Sequence, residues 1–459
     1  MKVLIVPWGL SGHYFPMVPL AWALRAAGNE VRVATQPGAA EVARKSGMTV
    51  AEVGKGYDFI ADMQQMFASS RSQLPMARGI ITGDVRKRVA KGPAQPPPVQ
   101  PPPVQQATVQ QATVQQATVQ QATAQPTAEQ QAIARRQAAA ASQSAAELRT
   151  MLYSKIAPFA RAGVAMADDL VALAEAWRPD LVIADPFVMA APLAASRAGA
   201  VLVHHLWGPA LQRQIGIFPG NGLPGNLWPE DLVRVFEKYG VEPQAEFAAA
   251  TVDPCPDRLQ FPVIPNRIPV RFVPYNGSGD WPDWVLAPPA RPRVCVTWGT
   301  LTTLLVGEDS FQVPGIVTAL ADMGVEVVVT LTAADRDRLG TPPPGVRVAV
   351  NLPLHLLLHS CDAIVHQGGG GTTLTAASFG LPQVIVSGAM DQLTCGVKVE
   401  AAGAGRSLGW PDVGTSQFTD AVSAVLSDDT VRKSATALQE EIQAQPSPAA
   451  VAEALAQRM

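Results

Sequence analysis

Hydrophobic and polar positions fall into alternating blocks along the chain. Lys2–Trp8 is a continuous apolar run of strand length. Between His13 and Gly28, Met17, Leu20, Ala21 and Leu24 recur at helical spacing, and Gly28 supplies a stop. Glu30–Thr35 and Thr49–Val53 read as the next strands, and Asp180–Ala184 and Ala200–His204 as two more around a helical stretch, Val188–Ala198. The second half repeats the pattern. Strands are predicted at Val294–Trp298, Val325–Leu331, Val346–Val350, Ala363–His366 and Gln383–Ser387, with helices between them that include Thr372–Phe379 and Leu393–Ala402. Strands alternating with helices imply parallel sheets covered on both faces. The chain therefore reads as α/β, with two Rossmann-like, doubly wound domains facing across a cleft. The first spans 1–276 and the second 293–430. The Gly-, Asp-, Trp- and Pro-bearing segment 277–292 is the linker, and 431–459 is a C-terminal helix returning across the domains.

One segment breaks the pattern. From Lys91 to Gln131 the chain is rich in Pro, Gln, Ala and Thr, with Val-Gln-Gln-Ala-Thr repeated from Val104, Val109, Val114 and Val119. A five-residue period matches neither helix nor strand, so no apolar face forms to offset the entropy of ordering. It reads as a disordered insertion in the first domain, or a polyproline tether, and the Ala-rich Ile133–Thr150 after it as helix.

Composition narrows the function. With 459 residues, of which 47% are hydrophobic and 16% charged, the chain can bury two cores. A net charge of -3 offers no basic face for nucleic acid. The opening run is too short for a signal peptide and leads straight into a patterned helix, and no stretch is apolar enough for stable membrane insertion. Cys255, Cys295, Cys361 and Cys395 form no C-x-x-C pair and read as buried thiols of a cytoplasmic protein.

The strongest chemical signal is His366-Gln367-Gly368-Gly369-Gly370-Gly371-Thr372-Thr373, between a strand and a helix. The glycines let backbone N–H groups approach a ligand, and the helix start adds unpaired donors and about half a positive charge. His366, Thr372 and Thr373 add side-chain donors. This is a diphosphate cradle without the lysine of a P-loop. Asp391 and Gln392 follow the next strand, where a carboxylate and an amide can hold sugar hydroxyls. In the first half, His13 follows the first strand and is the candidate general base, with Asp185 at another strand end to orient it. His204 and His205 are rival bases. Asp335-Arg336-Asp337 and Asp168-Asp169 read as solvated helix faces. His355 and His359 lack a carboxylate to complete a zinc set, so no metal is expected.

Taken in order, Gly12–Gly28, Arg178–Asp185, Val273–Gly277, Val294–Thr300 and His366–Gly405 resemble the GT-B-fold glycosyltransferases of family 1, especially bacterial enzymes that attach deoxysugars to polyketides and other natural products. The resemblance covers most of the chain outside the insertion. It implies His13 as base and Asp185 as its assistant. It also implies donor contacts from Thr297, Gly299, Thr300, Asn351, Leu352, His366, Gly368–Thr373, Asp391 and Gln392. Inversion without metal or other cofactor, and a dTDP- or UDP-linked donor, would follow. The small hydrophobic acceptor would meet Phe15, Phe59, Met63, Met66, Phe67 and Trp207. A homodimer or an auxiliary activator protein stays open as a partner. Three departures stand out: Asn29 where histidine is commoner, the small Gly9–Gly12 segment, and the insertion within the acceptor region. A sugar-nucleotide 2-epimerase of the same fold and a non-catalytic nucleotide-sugar binder are the competing readings. The first would need a pair of acids placed to deprotonate the sugar, and no such pair is evident.

Overall fold

A computed structural model describes residues 1–71, 128–388 and 390–457. Among them are two parallel sheets. The N-terminal lobe contains β1 (Lys2–Val6), β2 (Glu30–Thr35), β3 (Thr49–Glu52), β4 (Leu181–Ala184), β5 (Val201–His205), β6 (Ala250–Asp253) and β7 (Arg267–Pro269), in the order β3-β2-β1-β4-β5-β6-β7. The C-terminal lobe contains β8 (Arg293–Thr297), β9 (Glu326–Leu331), β10 (Arg347–Val350), β11 (Ala363–His366), β12 (Gln383–Ser387) and β13 (Gly405–Gly409), in the order β10-β9-β8-β11-β12-β13.

The apolar runs are strands because both faces of each sheet are covered. Leu4 and Val6 pack on one side of β1 and Val3 and Ile5 on the other, in two separate cores. Full burial of such a side chain stabilises by about 1.5–3 kcal/mol. Helix Val18–Ala26 starts with Pro19 in its first turn and is followed by Gly28 at φ +83°, so both ends obey local rules.

The sequence reading missed β6, β7 and β13. β6 and β7 lie at the sheet edge in a Pro-rich region, and β13 is bounded by glycines. All three are strands because a parallel neighbour pairs with them. The repeat segment falls outside the described residues up to 127. Its last four residues open the long helix Ala128–Trp177, which carries Pro158 inside it.

The chain end ties the lobes together. Ala435, Leu438 and Ile442 of helix Asp429–Ala444 share a core with Cys255 and Phe272 of the N-terminal lobe and with Leu374 and Ile385 of the C-terminal lobe. Helix Pro448–Gln457 then inserts Val451, Ala452 and Leu455 beside Leu20 and Leu24 of the N-terminal lobe.

Each sheet reverses its winding once, between β1 and β4 and between β8 and β11. Crevices of doubly wound sheets open at the carboxyl ends of such strand pairs. Residues following β1 and β4 therefore face those following β8 and β11.

Candidate active site

On the N-terminal side, the short helix Ser11–Tyr14 holds His13 just beyond β1. Asp185 continues β4, with its N–H donating to the carbonyl of Val6 at 2.9 Å. The two side chains meet at 2.7 Å between His13 Nδ1 and Asp185 Oδ2. Asp185 Oδ1 accepts the N–H of Phe187 at 2.8 Å, which fixes the carboxylate plane. The His13 side chain is 14% exposed and that of Asp185 is fully buried. Trp207, beyond β5, lies against the imidazole with ring centroids 4.3 Å apart. A carboxylate on Nδ1 selects the tautomer with the proton there, leaving Nε2 as the basic atom.

On the C-terminal side, helix Gly370–Ser378 begins with Gly369 as N-cap and no side-chain cap bond. The first backbone bond into its first turn runs from Thr373 N to Gly369 O at 2.9 Å. The N–H groups of Gly370, Gly371 and Thr372 precede it and have no intrahelical acceptor. Gly370 also touches the opposite lobe. A Cβ there would lie 3.1 Å from the Trp207 carbonyl oxygen and 3.3 Å from Gly208 Cα.

The loop is braced from beneath. His366 is fully buried, accepts the N–H of Gly368 on Nδ1 at 3.1 Å and donates from Nε2 to Gln383 Oε1 at 2.9 Å. Burial depresses its pKa to about 4, so it is neutral at pH 7. Gly368 has φ +97°, and a Cβ would strike the Gln392 carbonyl at 2.7 Å. Thr373 is buried, with its hydroxyl donating to Gly369 O at 3.0 Å.

A cavity of about 420 Å³ separates the two sides. Of the residues singled out from sequence, His13, Phe15, Trp207, Thr297, Gly299, Thr300, Asn351, Leu352, Gly369–Thr372, Asp391 and Gln392 line it. Asp185, His366, Gly368 and Thr373 stand behind that wall and support it. Asp391 is exposed toward the cavity. Partial desolvation by neighbouring atoms pushes its carboxyl above the usual range, opposed by backbone N–H bonds and by its electrostatic interaction with His13.

A neighbouring chamber of about 570 Å³ adjoins the first through Ser11, Thr300 and Leu301. Its walls are Trp8, Tyr57, Phe59 and Ile60 of the N-terminal lobe and Leu304 of the C-terminal lobe. Met63 is buried in the core beside Phe59, and Met66 packs at that core's edge. The side chain of Phe67 lies outside the described residues.

The rival residues go elsewhere. His204 and His205 are buried, and desolvation lowers their pKa values to about 3 and about 4. Asp335 is not on a solvated face: it is buried at the start of helix Ala333–Leu339, with its N–H donated to Thr332 Oγ1 at 3.1 Å. Asp168 is exposed and pairs with Lys238 at 2.8 Å. Among the described residues, no group of three or more His, Cys, Asp or Glu could hold a metal ion, and no helix is long and apolar enough to cross a membrane.

Among the cavity residues, Asn276, Thr302 and Gln367 make polar contacts but were given no role from sequence. Asn276, in the chain crossing between lobes, donates to Thr375 Oγ1 at 3.2 Å and accepts the His355 N–H at 3.1 Å. Thr302 accepts from Gln392 Nε2 at 2.8 Å. Gln367 lies under Gly299 and Gly369. Gln367 carried a signal in its place inside the glycine loop and Asn276 in the segment Val273–Gly277; Thr302 carried none.

Known proteins resemble the chain over nearly its whole length. The family model for the erythromycin biosynthesis protein CIII-like N-terminal domain matches residues 99–299, and the corresponding C-terminal model matches 315–457. Tylactone mycaminosyltransferase of Streptomyces fradiae is 31% identical over 98% of this chain and 90% of its own. The 10-deoxymethynolide desosaminyltransferase of Streptomyces venezuelae is 30% identical over 98% and 95%. The spinosyn rhamnosyltransferase SpnG, solved also with thymidine diphosphate and with spinosyn aglycone, superposes with a TM-score of 0.72. It is 26% identical, over 99% of this chain and 100% of that one.

Proposed function

The chain belongs to the erythromycin biosynthesis protein CIII-like family of GT-B glycosyltransferases, and from that membership we propose how it transfers a deoxysugar from a thymidine diphosphate donor to a polyketide-type aglycone. The observation that carries the reading is the His13–Asp185 pair, set across one cavity from an uncapped helix start.

In this reading the diphosphate lies against the N–H groups of Gly370, Gly371 and Thr372. Thr297, Gly299 and Thr300 flank it, and Asn351 and Leu352 meet the base. Asp391 and Gln392 meet the sugar. The apolar aglycone occupies the chamber walled by Trp8, Phe59 and Leu304, with Phe15 and Trp207 beside the base. His13 Nε2 takes the acceptor hydroxyl proton as the oxygen attacks C1. The bond from C1 to the diphosphate oxygen breaks in the same step, so the anomeric configuration inverts. Asp185 stabilises the imidazolium, and the helix start stabilises the departing charge.

Retention of both His13 and Asp185 supports turnover by this chain over a role as a silent nucleotide-sugar binder. The test is incubation of the purified chain with dTDP-deoxysugars and a macrolide and aromatic aglycone panel, with and without EDTA. Glycosylated aglycone at a rate indifferent to EDTA is expected. Epimerised donor without transfer, or no product across the panel, would overturn the reading.

A further inference from the structure

The loop that follows β5, residues 206–210, touches both halves of the proposed chemistry. Trp207 lies on the His13 imidazole, with ring centroids 4.3 Å and planes 33° apart. Gly208 packs on the helix start of the other lobe, where a Cβ added to it would lie 3.2 Å from Gly370 Cα. The loop is anchored on each side of these two residues. Leu206 N donates to Val252 O of β6 at 3.0 Å, which continues the sheet pairing. Ala210 N donates at 2.7 Å to the side-chain Oε1 of Gln260, fifty residues further along the chain.

Gln260 is buried, and both ends of its amide are committed. Oε1 also accepts the N–H of Phe261 at 2.8 Å. Nε2 donates to both carboxylate oxygens of Asp253 at 3.0 Å. Asp253 is fully buried and is held in turn by Arg267 Nε at 2.6 Å and by the N–H of Cys255 at 2.9 Å. The carboxylate demands the NH₂ end of the amide, so the oxygen must face the loop. A leucine would leave two buried N–H groups without an acceptor, and a glutamate would set a second carboxylate against Asp253. The main chain of Gln260 reaches the other lobe. Its carbonyl accepts Lys398 Nζ at 2.8 Å, and the ammonium also stands 4.2 Å from the centre of the Phe261 ring. Lys398 belongs to helix Met390–Ala401 of the C-terminal lobe. Gln260 itself does not line the cavity.

Resting on the reading of His13 as the base, we infer that Gln260 is a positioning residue for transfer. By clamping Ala210 against the Asp253 network it holds Trp207 on the imidazole and Gly208 against the helix that takes the diphosphate. The indole closes one face of the imidazole, so the ring keeps the plane that its bond to Asp185 sets.

The test reads geometry and turnover separately. In the histidine-labelled NMR spectrum of the full chain, the His13 ring signal, identified by its loss in His13→Gln, carries the ring-current shift of the indole. Gln260→Leu should move that signal in the same direction as Trp207→Leu does. It should also lower kcat for aglycone glycosylation at least about tenfold, since a displacement of about 1 Å at a reacting group can cost about a hundredfold. In a Trp207→Leu chain the same substitution should cost less than about threefold, because both changes act through one contact. Should Gln260→Leu fail to fold, Ala210→Pro cuts the same bond from the loop side, at a φ of -74° that proline accepts, and the same shift and loss are expected of it. An unmoved His13 signal, an unchanged kcat, or losses that add in full in the double variant would each overturn the inference. A His13 signal that moves as expected, on a chain that transfers no sugar, would keep the clamp and sink the transferase reading.

Discussion

Replacing Asp185 by asparagine isolates the contribution of one charge to the proposed base. The substitution is isosteric, and the site is fully buried, so the side chain has one orientation to adopt. The Phe187 N–H at 2.8 Å requires an acceptor and holds the amide oxygen. The amide NH₂ then points at His13 Nδ1, where the carboxylate oxygen had been at 2.7 Å. A donor in that place selects the opposite tautomer, with Nε2 carrying the proton and unable to accept another. General-base catalysis is worth roughly a hundred- to ten-thousandfold. At 1.36 kcal/mol per decade, that is about 2.7–5.4 kcal/mol of barrier. The assay is kcat for aglycone glycosylation at saturating donor and acceptor, with dTDP affinity measured in parallel. A drop of at least a hundredfold in kcat with dTDP affinity within twofold is expected. A kcat within threefold of the native value would refute the tautomer argument.

Gly371 meets nothing within 4 Å of an added Cβ and sits in the first turn of its helix. Gly371→Ala should therefore raise thermal stability by about 0.5–1 kcal/mol, as helical Gly-to-Ala changes do, while weakening dTDP binding at least about tenfold; calorimetry and melting read the two effects separately. Gln383→Leu removes the acceptor of the buried His366 Nε2–H and should cost about 1–3 kcal/mol in urea unfolding. An unchanged midpoint would count against the brace. His204, His205 and His366 have folded pKa values depressed from 6.5 to between about 3 and about 4 by burial. Their unfolded forms bind protons that the folded forms refuse, so stability should be full above pH 6.5 and fall as pH drops toward 4. Each contributes up to roughly 1.4 kcal/mol per pH unit, and a melting temperature flat from pH 6.5 to 5 would contradict this.

Much of the site was legible because it sits at strand ends whose apolar runs are unmistakable. β1, β4, β8 and β11 each stand out locally, and His13, Asp185 and the glycine loop follow directly after three of them. What sequence could not show was the direction in which side chains leave the backbone. From sequence His366 reads as a side-chain donor to the ligand, yet its ring is buried beneath the loop, where Gln383 of β12 holds it. That pairing depends on sheet register, with His366 opposite Ile385 and Gln383 opposite Ile364. Thr302 and Asn276 gain their places from contacts across 90 and 99 residues, and no local pattern encodes these. β6 and β7 were hidden for a related reason. A four-residue strand ending in Asp253 and a three-residue strand ending in Pro269 become strands by pairing at a sheet edge, with Arg267 closing on Asp253 at 2.6 Å.

The central claim is that backbone amides at the start of helix Gly370–Ser378 hold the diphosphate opposite His13. A crystal structure of the chain with dTDP tests this most directly. Phosphate oxygens within about 3 Å of the N–H groups of Gly370, Gly371 or Thr372, with His13 Nε2 facing them across the cavity, are the predicted result. A diphosphate seated away from that helix start, or lobes arranged so that His13 faces solvent, would contradict the account.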